Sequence, residues 1–218
     1  MAIPVLTIDG PSGAGKGTVS RLLAKKLGWH YLDSGSIYRS LAIAVVNASA
    51  PLDNEADVVK IAQAMKLEFV CGDELLVSLN GSDITAQLGL ETTGSHASIV
   101  AAMPEIRRVL LQKQRDFRRP PGLVADGRDM GTVVFPEAQY KVFLTASAAK
   151  RAERRYKQLI EKGISANLIQ ITQEIEQRDR RDTTRQNAPL AVASDALYID
   201  SSEMTIEAVI ETVLNLIH

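Results

Sequence analysis

Cysteine is almost absent from the 218-residue chain: Cys71 stands alone, so no internal disulfide can form, as expected of a reducing compartment. Histidine occurs only at positions 30, 96 and 218, and one cysteine with three scattered histidines gives no structural zinc set. Charge of one sign is also missing. Lys and Arg total 25 against 26 Asp and Glu, a net charge of −1, so nothing pulls the whole molecule toward nucleic acid or an anionic membrane. Aromatics make up 5%, too few for a base-stacking platform. The longest apolar stretch, Leu41 to Val46, is far too short to span a bilayer. The first basic side chain is Lys16, so the positive start of a secretory leader is lacking. These absences lead us to expect a cytoplasmic protein without membrane or nucleic-acid partners. Nothing calls for an obligate interface, and a monomer is expected. What is present, 45% hydrophobic and 23% charged residues, suits a globular chain with a sizeable core.

No repeat, low-complexity tract or long linker interrupts the chain. Val5 to Ile8 reads as a short apolar strand ending at Asp9. Val19, Leu22, Leu23 and Leu27 fall at helical spacing, with Gly28 as a C-terminal stop. Further strands are predicted at Trp29–Leu32, Leu123–Ala125, Lys141–Leu144 and Leu197–Ile199. Helices are predicted over Ile37–Ala48, Glu55–Met65, Pro104–Phe117, Ser147–Ile160 and Leu168–Asp182, and from Ile206 to Ile217. Leu67–Val70 and Leu75–Leu79 read as a hairpin through Gly72-Asp73, with a third strand at Asp83–Thr85. Strands alternating with helices predict an α/β fold, a parallel sheet covered on both faces. Ligands of such sheets sit beyond the carboxyl ends of the strands, where Asp9-Gly10, Asp33-Ser34 and Asp126-Gly127-Arg128-Asp129 all fall.

Gly10-Pro11-Ser12-Gly13-Ala14-Gly15-Lys16 has the spacing of a phosphate-binding loop. Small residues let successive backbone N–H groups turn inward around a phosphate, and the helix beginning near Gly17 adds its positive end. Lys16 reaches the terminal phosphate oxygens as a mobile point charge. A glycine-rich turn alone would be weak evidence, but here the lysine is correctly placed between strand and helix. Position 17 is glycine where the general motif has Ser or Thr, so direct metal ligation there is out of reach and Thr18 or water must serve.

Three other segments carry candidates. Ser34 is placed to cap a helix in which Arg39 projects one turn on. Charged residues between glycines at Asp126-Gly127-Arg128-Asp129-Met130-Gly131 have little structural purpose at a strand end. Arg178, Asp182 and Arg185 recur at helical spacing. By themselves they read as a salt-laced exposed helix, as do Arg151, Arg154 and Arg155.

Together these segments resemble the bacterial cytidylate kinases, over nearly the whole chain. The matching pieces are Gly10 to Thr18, Asp33-Ser34-Gly35, Ile37-Tyr38-Arg39, Ala125 to Pro136 and the Arg178–Arg185 run. The resemblance implies a single P-loop kinase domain over 1–218, three-layered, with an acceptor-binding insert at about 36–100 and a lid at about 154–182. It implies transfer of the γ-phosphate of ATP to CMP or dCMP with Mg²⁺ as cofactor, or, on the same scaffold, to another nucleoside monophosphate. ATP would lie on Gly10, Pro11, Ser12, Gly13, Ala14, Gly15, Lys16, Gly17 and Thr18. Ser34, Arg39, Arg128 and Arg185 would hold the CMP phosphate; Ser98, Arg107 and Asp129 the cytosine; Arg178 and Asp182 the pentose. Lys16, Arg128 and Arg185 would carry catalysis. Asp126 would orient hydrated Mg²⁺, and Asp9 is a weaker candidate that braces the loop. A nucleotide switch is disfavoured because no Asn-Lys-x-Asp sequence occurs. A motor-type ATPase is disfavoured because Gly127, not Glu, follows Asp126.

Overall fold

The computed structural model describes residues 3–71, 75–161, 163–184 and 187–217. In chain order the elements are β1 (Val5–Asp9), α1 (Lys16–Leu27), β2 (His30–Asp33), α2 (Ser34–Asn47), α3 (Glu55–Ala64), β3 (Leu67–Cys71), β4 (Leu75–Leu79), β5 (Ser82–Asp83) and α4 (Thr85–Leu88). There follow α5 (Glu91–Val100), α6 (Pro104–Arg115), β6 (Leu123–Gly127), a π-helical turn (Met130–Val134), β7 (Tyr140–Thr145), α7 (Ala148–Glu161), α8 (Leu168–Thr184), β8 (Leu197–Asp200) and α9 (Ile206–Ile217). They form two compact units: Met1–Trp29 with Pro120–His218, and His30–Arg119.

The fold is α/β with a central parallel sheet. In the first unit, β6, β1, β7 and β8 lie side by side in that order, all parallel. β1 is buried along its whole length because it has a strand on either side, which is why its sequence does not alternate. Its register sets Ile8 against Asp126 and Asp9 against Gly127, so two of the acidic motifs end on adjacent strands. α1 turns Val19, Leu23 and Ala24 inward and stops at Gly28, whose left-handed backbone (φ 66°) returns its N–H to the Ala24 and Lys25 carbonyls. α9 packs against α1 and β7 through Val209, Ile210 and Val213.

The second unit is built on α2, whose Ile37, Leu41 and Val45 are fully buried. α3 and α5 lie against it. Beside them a three-stranded antiparallel sheet runs in the order β3-β4-β5, with Asn80 and Gly81 at positive φ in the turn between β4 and β5. The expected turn at Gly72-Asp73 lies outside the described residues.

Three expectations need correction. α2 starts at Ser34, three residues earlier than its apolar spacing suggests. Asp33, not Ser34, is its cap, accepting from Ser36 N at 3.1 Å and Ser36 Oγ at 2.6 Å. The third strand is Ser82–Asp83, and Thr85 opens α4 instead. There Asp83 accepts from Thr85 N, and Thr85 Oγ1 accepts from Val77 N. Finally, α4, α5 and the π turn were not predicted. α5, Glu-Thr-Thr-Gly-Ser-His-Ala-Ser-Ile-Val, has little amphipathic rhythm and holds its helix by packing on α2.

Candidate active site

The loop between β1 and α1 has the backbone of an anion nest. Gly10, Gly13 and Gly15 take φ of 148°, 78° and 90°, values that side-chain-bearing residues avoid. Gly10 is required for space as well, since a Cβ there would stand 2.0 Å from the Leu144 carbonyl oxygen. α1 has no side-chain cap and no acid in its first turn, so the helix's positive end is open to an incoming anion. Lys16 is buried. Its Nζ donates to Pro11 O at 2.9 Å and lies 3.9 Å from Asp126 Oδ1. Burial pulls its pKa down to about 8, the Arg128 and Arg178 charges push the same way, and Asp126 and Asp9 only partly oppose them. Lys16, Arg128 and Arg178 therefore lie close enough for their charges to act on one another.

Asp9 does brace a loop, though the one after β6. Its two carboxylate oxygens accept from Met130 N (2.8 Å) and Gly131 N (2.7 Å), which fixes the π turn and presents Arg128 and Asp129 at the strand end. Burial is the main reason its pKa rises to about 6, against the lowering effect of those two amides; Asp129 nearby adds to the rise. Gly131 lies close against this cradle: a Cβ on it would meet Thr7 Oγ1 at 2.9 Å. Asp126, a hard oxygen donor at the end of β6, fits a magnesium ion carried mainly by phosphate oxygens, which needs one or two carboxylates from the protein. Thr18 lies half-buried in the first turn of α1.

α8 brings two aspartates to this floor. Asp182 Oδ2 accepts from Arg128 Nε at 2.8 Å. Asp179 takes both arms of Arg151, from α7. Arg151 is 4% exposed, which overturns the reading of it as a solvated helix-face residue. It also donates to Ala146 O and to Ser12 O inside the nest. Arg154 turns to the end of β8, donating to Ser201 O at 2.6 Å, and Ser201 Oγ in turn bonds Thr145 O. Arg178 lies near enough to Lys16 to act on its charge; Arg185 is outside the described residues.

The candidates of the second unit gather around α2 and α5. Arg39 Nη1 donates to Leu88 O and Leu90 O, and its guanidinium passes Gly94 so closely that a Cβ there would lie 2.9 Å from Nη2. Ser98 Oγ bonds Gly94 O one turn away. Arg107 stacks over the ring of Tyr38, 5.8 Å from its centre, and donates to Ala101 O. Ser34 is buried and gives its hydroxyl proton to Gln114 Oε1 at 2.6 Å; Gln114 is itself held by Leu110 O.

Thus Lys16, Asp126, Arg128, Asp129, Arg178 and Asp182 come together in the first unit, and Arg39, Ser98 and Arg107 cluster in the second. Ser34 is instead committed to Gln114. Sequence reasoning missed Gln114, Gly94 and Asp179. Gln114 had a signal, since Ile106, Leu110 and Gln114 share one buried stripe of α6 and a polar residue there needs a reason. Asp179 had none, lying among charged neighbours in a run that reads as solvated.

Against known proteins, the family model described as Cytidylate kinase matches residues 6–218. The chain belongs to the cytidylate kinase family. A cytidylate kinase of Methylococcus capsulatus is 54% identical over 215 residues, covering 99% of this chain and 97% of that one. A cytidylate kinase of Aeromonas salmonicida is 54% identical over 212 residues, covering 97% and 92%. Among solved structures, an uncharacterized protein from Eubacterium ventriosum covers 98% of both chains with a TM-score of 0.50 at 8% identity, a likeness of fold alone. The family thus settles what the nest and its cations left open among nucleotide-binding activities.

Proposed function

We propose that this chain moves the γ-phosphoryl group of ATP onto CMP or dCMP, giving CDP or dCDP. Gly10 to Thr18 take the donor's phosphates. Arg128, with Arg39, Ser34 and Arg185, takes the acceptor's phosphate. Ser98, Arg107 and Asp129 recognise cytosine, and Arg178 and Asp182 hold the pentose. Residues at about 36–100 serve as the acceptor-binding insert, those at about 154–182 as the lid, and the chain works as a monomer. Membership of the cytidylate kinase family supports this reading. The single observation that carries it in the molecule is the buried Lys16 set at the positive-φ glycine nest beside Asp126, with Arg128 and Arg178 near enough to act on its charge.

Phosphoryl transfer asks the protein for alignment and charge neutralisation. Two unit negative charges 4 Å apart repel by about 4 kcal/mol at an effective dielectric near 20. Lys16, Arg128 and Arg178 reverse that term, and the arginine forks also fix the direction of approach. Mg²⁺ entering with ATP would be held by the phosphates with Asp126 and, through water, Thr18; it supplies charge neutralisation at the transferring group. Ser34 reaches a phosphate by turning its hydroxyl away from Gln114. Asp129 accepts from the cytosine amino group and repels the carbonyl that uracil has in its place, while Arg107 donates to N3 and O2.

A coupled assay of ADP release across CMP, dCMP, UMP and AMP tests this. CMP or dCMP should be preferred, and Asp129→Ala should erase much of the preference over UMP, of up to about 10⁴-fold. Equal turnover of AMP would overturn the assignment, and an unchanged CMP-to-UMP ratio in Asp129→Ala would remove Asp129 from it.

A further inference from the structure

We propose that Arg151 and Asp179 are a positioning pair that couples donor to acceptor: together they tie the phosphate loop to α8, so that filling the acceptor side sharpens the grip on ATP. The inference rests on the function proposed above and names a device within it.

Four hydrogen bonds carry it. Arg151 Nε donates to Ala146 O (2.9 Å) and Nη1 to Ser12 O (2.9 Å). Nη1 and Nη2 grip the two oxygens of Asp179 at 3.1 and 2.5 Å. A planar guanidinium holds these partners in one fixed geometry. Its stem is as closely fitted: a Cβ on Gly13 would lie 3.3 Å from Arg151 Cβ, so the loop is moulded around this residue.

The choice of Ser12 O is the telling detail. In a trans peptide the carbonyl and the following N–H point in opposite directions. Anchoring Ser12 O on Arg151 therefore aims the Gly13 N–H the other way, and a peptide free to rotate would lose that aim. The other end of the fork lies on α8, where Asp179 follows Arg178 directly and precedes Asp182 by just under one turn. Any shift of α8 must either break the bidentate pair or move the Ser12 peptide. Breaking it would leave a buried arginine short of its carboxylate, a strongly unfavourable state. An acceptor that fixes α8 through Arg178 and Asp182 thereby fixes the nest, and linkage makes the effect mutual.

The test is calorimetric binding of the β,γ-imido analogue of ATP to the full chain, with and without saturating CMP. In the wild type CMP should tighten the analogue by at least about fivefold. In Asp179→Asn, which keeps the shape but loses the charge, the gain should fall below about twofold in protein that remains folded at the assay temperature. Arg151→Lys, which keeps a charge but cannot fork, should lose the coupling likewise and raise KM for ATP more than it lowers kcat. Should Asp179→Asn fail to fold, Asp179→Glu carries the same expectation. Full tightening in these folded variants, or a wild type that phosphorylates CMP without any tightening, overturns the pair's role alone. A wild type that does not phosphorylate CMP overturns this inference together with the proposed function.

Discussion

α8 carries two aspartates that each meet an arginine from elsewhere in the same unit, and the two pairs are built differently. Around Asp179, Arg151 is sunk to 4% exposure, and its donors go to protein acceptors: two backbone carbonyls and both carboxylate oxygens. Around Asp182, Arg128 keeps 18% exposure and donates through Nε at 2.8 Å, with its Nη1 at 3.4 Å from Gly127 O, although Asp179 (25%) is itself more exposed than Asp182 (16%). The first pair is a fastening whose partners do not change. The second is an arrangement that an anion can enter, because a phosphate can offer Arg128 what Asp182 now offers. Burial and saturation of donors thus separate an arginine that shapes a site from one that works in it.

The largest effect should come from the open pair. Arg128→Ala is expected to lower kcat/KM for CMP by about 10³-fold while changing the unfolding free energy by less than about 1.5 kcal/mol. Steady-state kinetics beside urea denaturation would show the split; a large stability loss with modest kinetic change would make the two pairs alike. Arg151→Ala should do the reverse, costing about 3 kcal/mol of stability because Asp179 and the Ala146 and Ser12 carbonyls are left without their donor. Denaturation midpoints would measure this, and a loss under about 0.5 kcal/mol would mean that the pair fastens nothing.

The smallest effect is a fraction of a proton. Lys16 has its pKa lowered to about 8 in the folded chain, so between there and its unfolded value of 10.5 the unfolded state holds more protons. This group's contribution to stability therefore rises as pH climbs through that window. A polyanion beside Lys16 restores the charge, so ATP binding at pH 8 should take up as much as about half a proton, and close to none at pH 6.5. Calorimetry in buffers of different ionisation enthalpy reads the uptake directly, and Lys16→Met should abolish it. The same uptake in that variant would assign the proton elsewhere.

Much of the first unit was legible because its physics is local. β1 and β6 are continuous apolar runs, the glycines of the nest announce their φ values, and a lysine at fixed spacing has one use there. Arg128 and Asp129 stood out as charges at a strand end. Arg151 and Asp179 did not, because separating a buried ion pair from a solvated one requires knowing which helices pack together. On the acceptor side, Gly94 looked like any helix glycine until the Arg39 guanidinium filled its space. α5 was unreadable since its helix depends on α2 rather than on its own sequence pattern.

The position of β1 in the sheet has a consequence for how the protein is born. Val5 to Asp9 leave the ribosome well before the strands that flank them, β6 and β7, which come only after residue 122. Until those arrive, the segment bearing the nest is an unpaired apolar stretch, exposed to chance association with other nascent chains. Non-local pairing of this kind slows folding. The strand that carries the nest therefore gains its sheet partners only once β6 and β7 have been made.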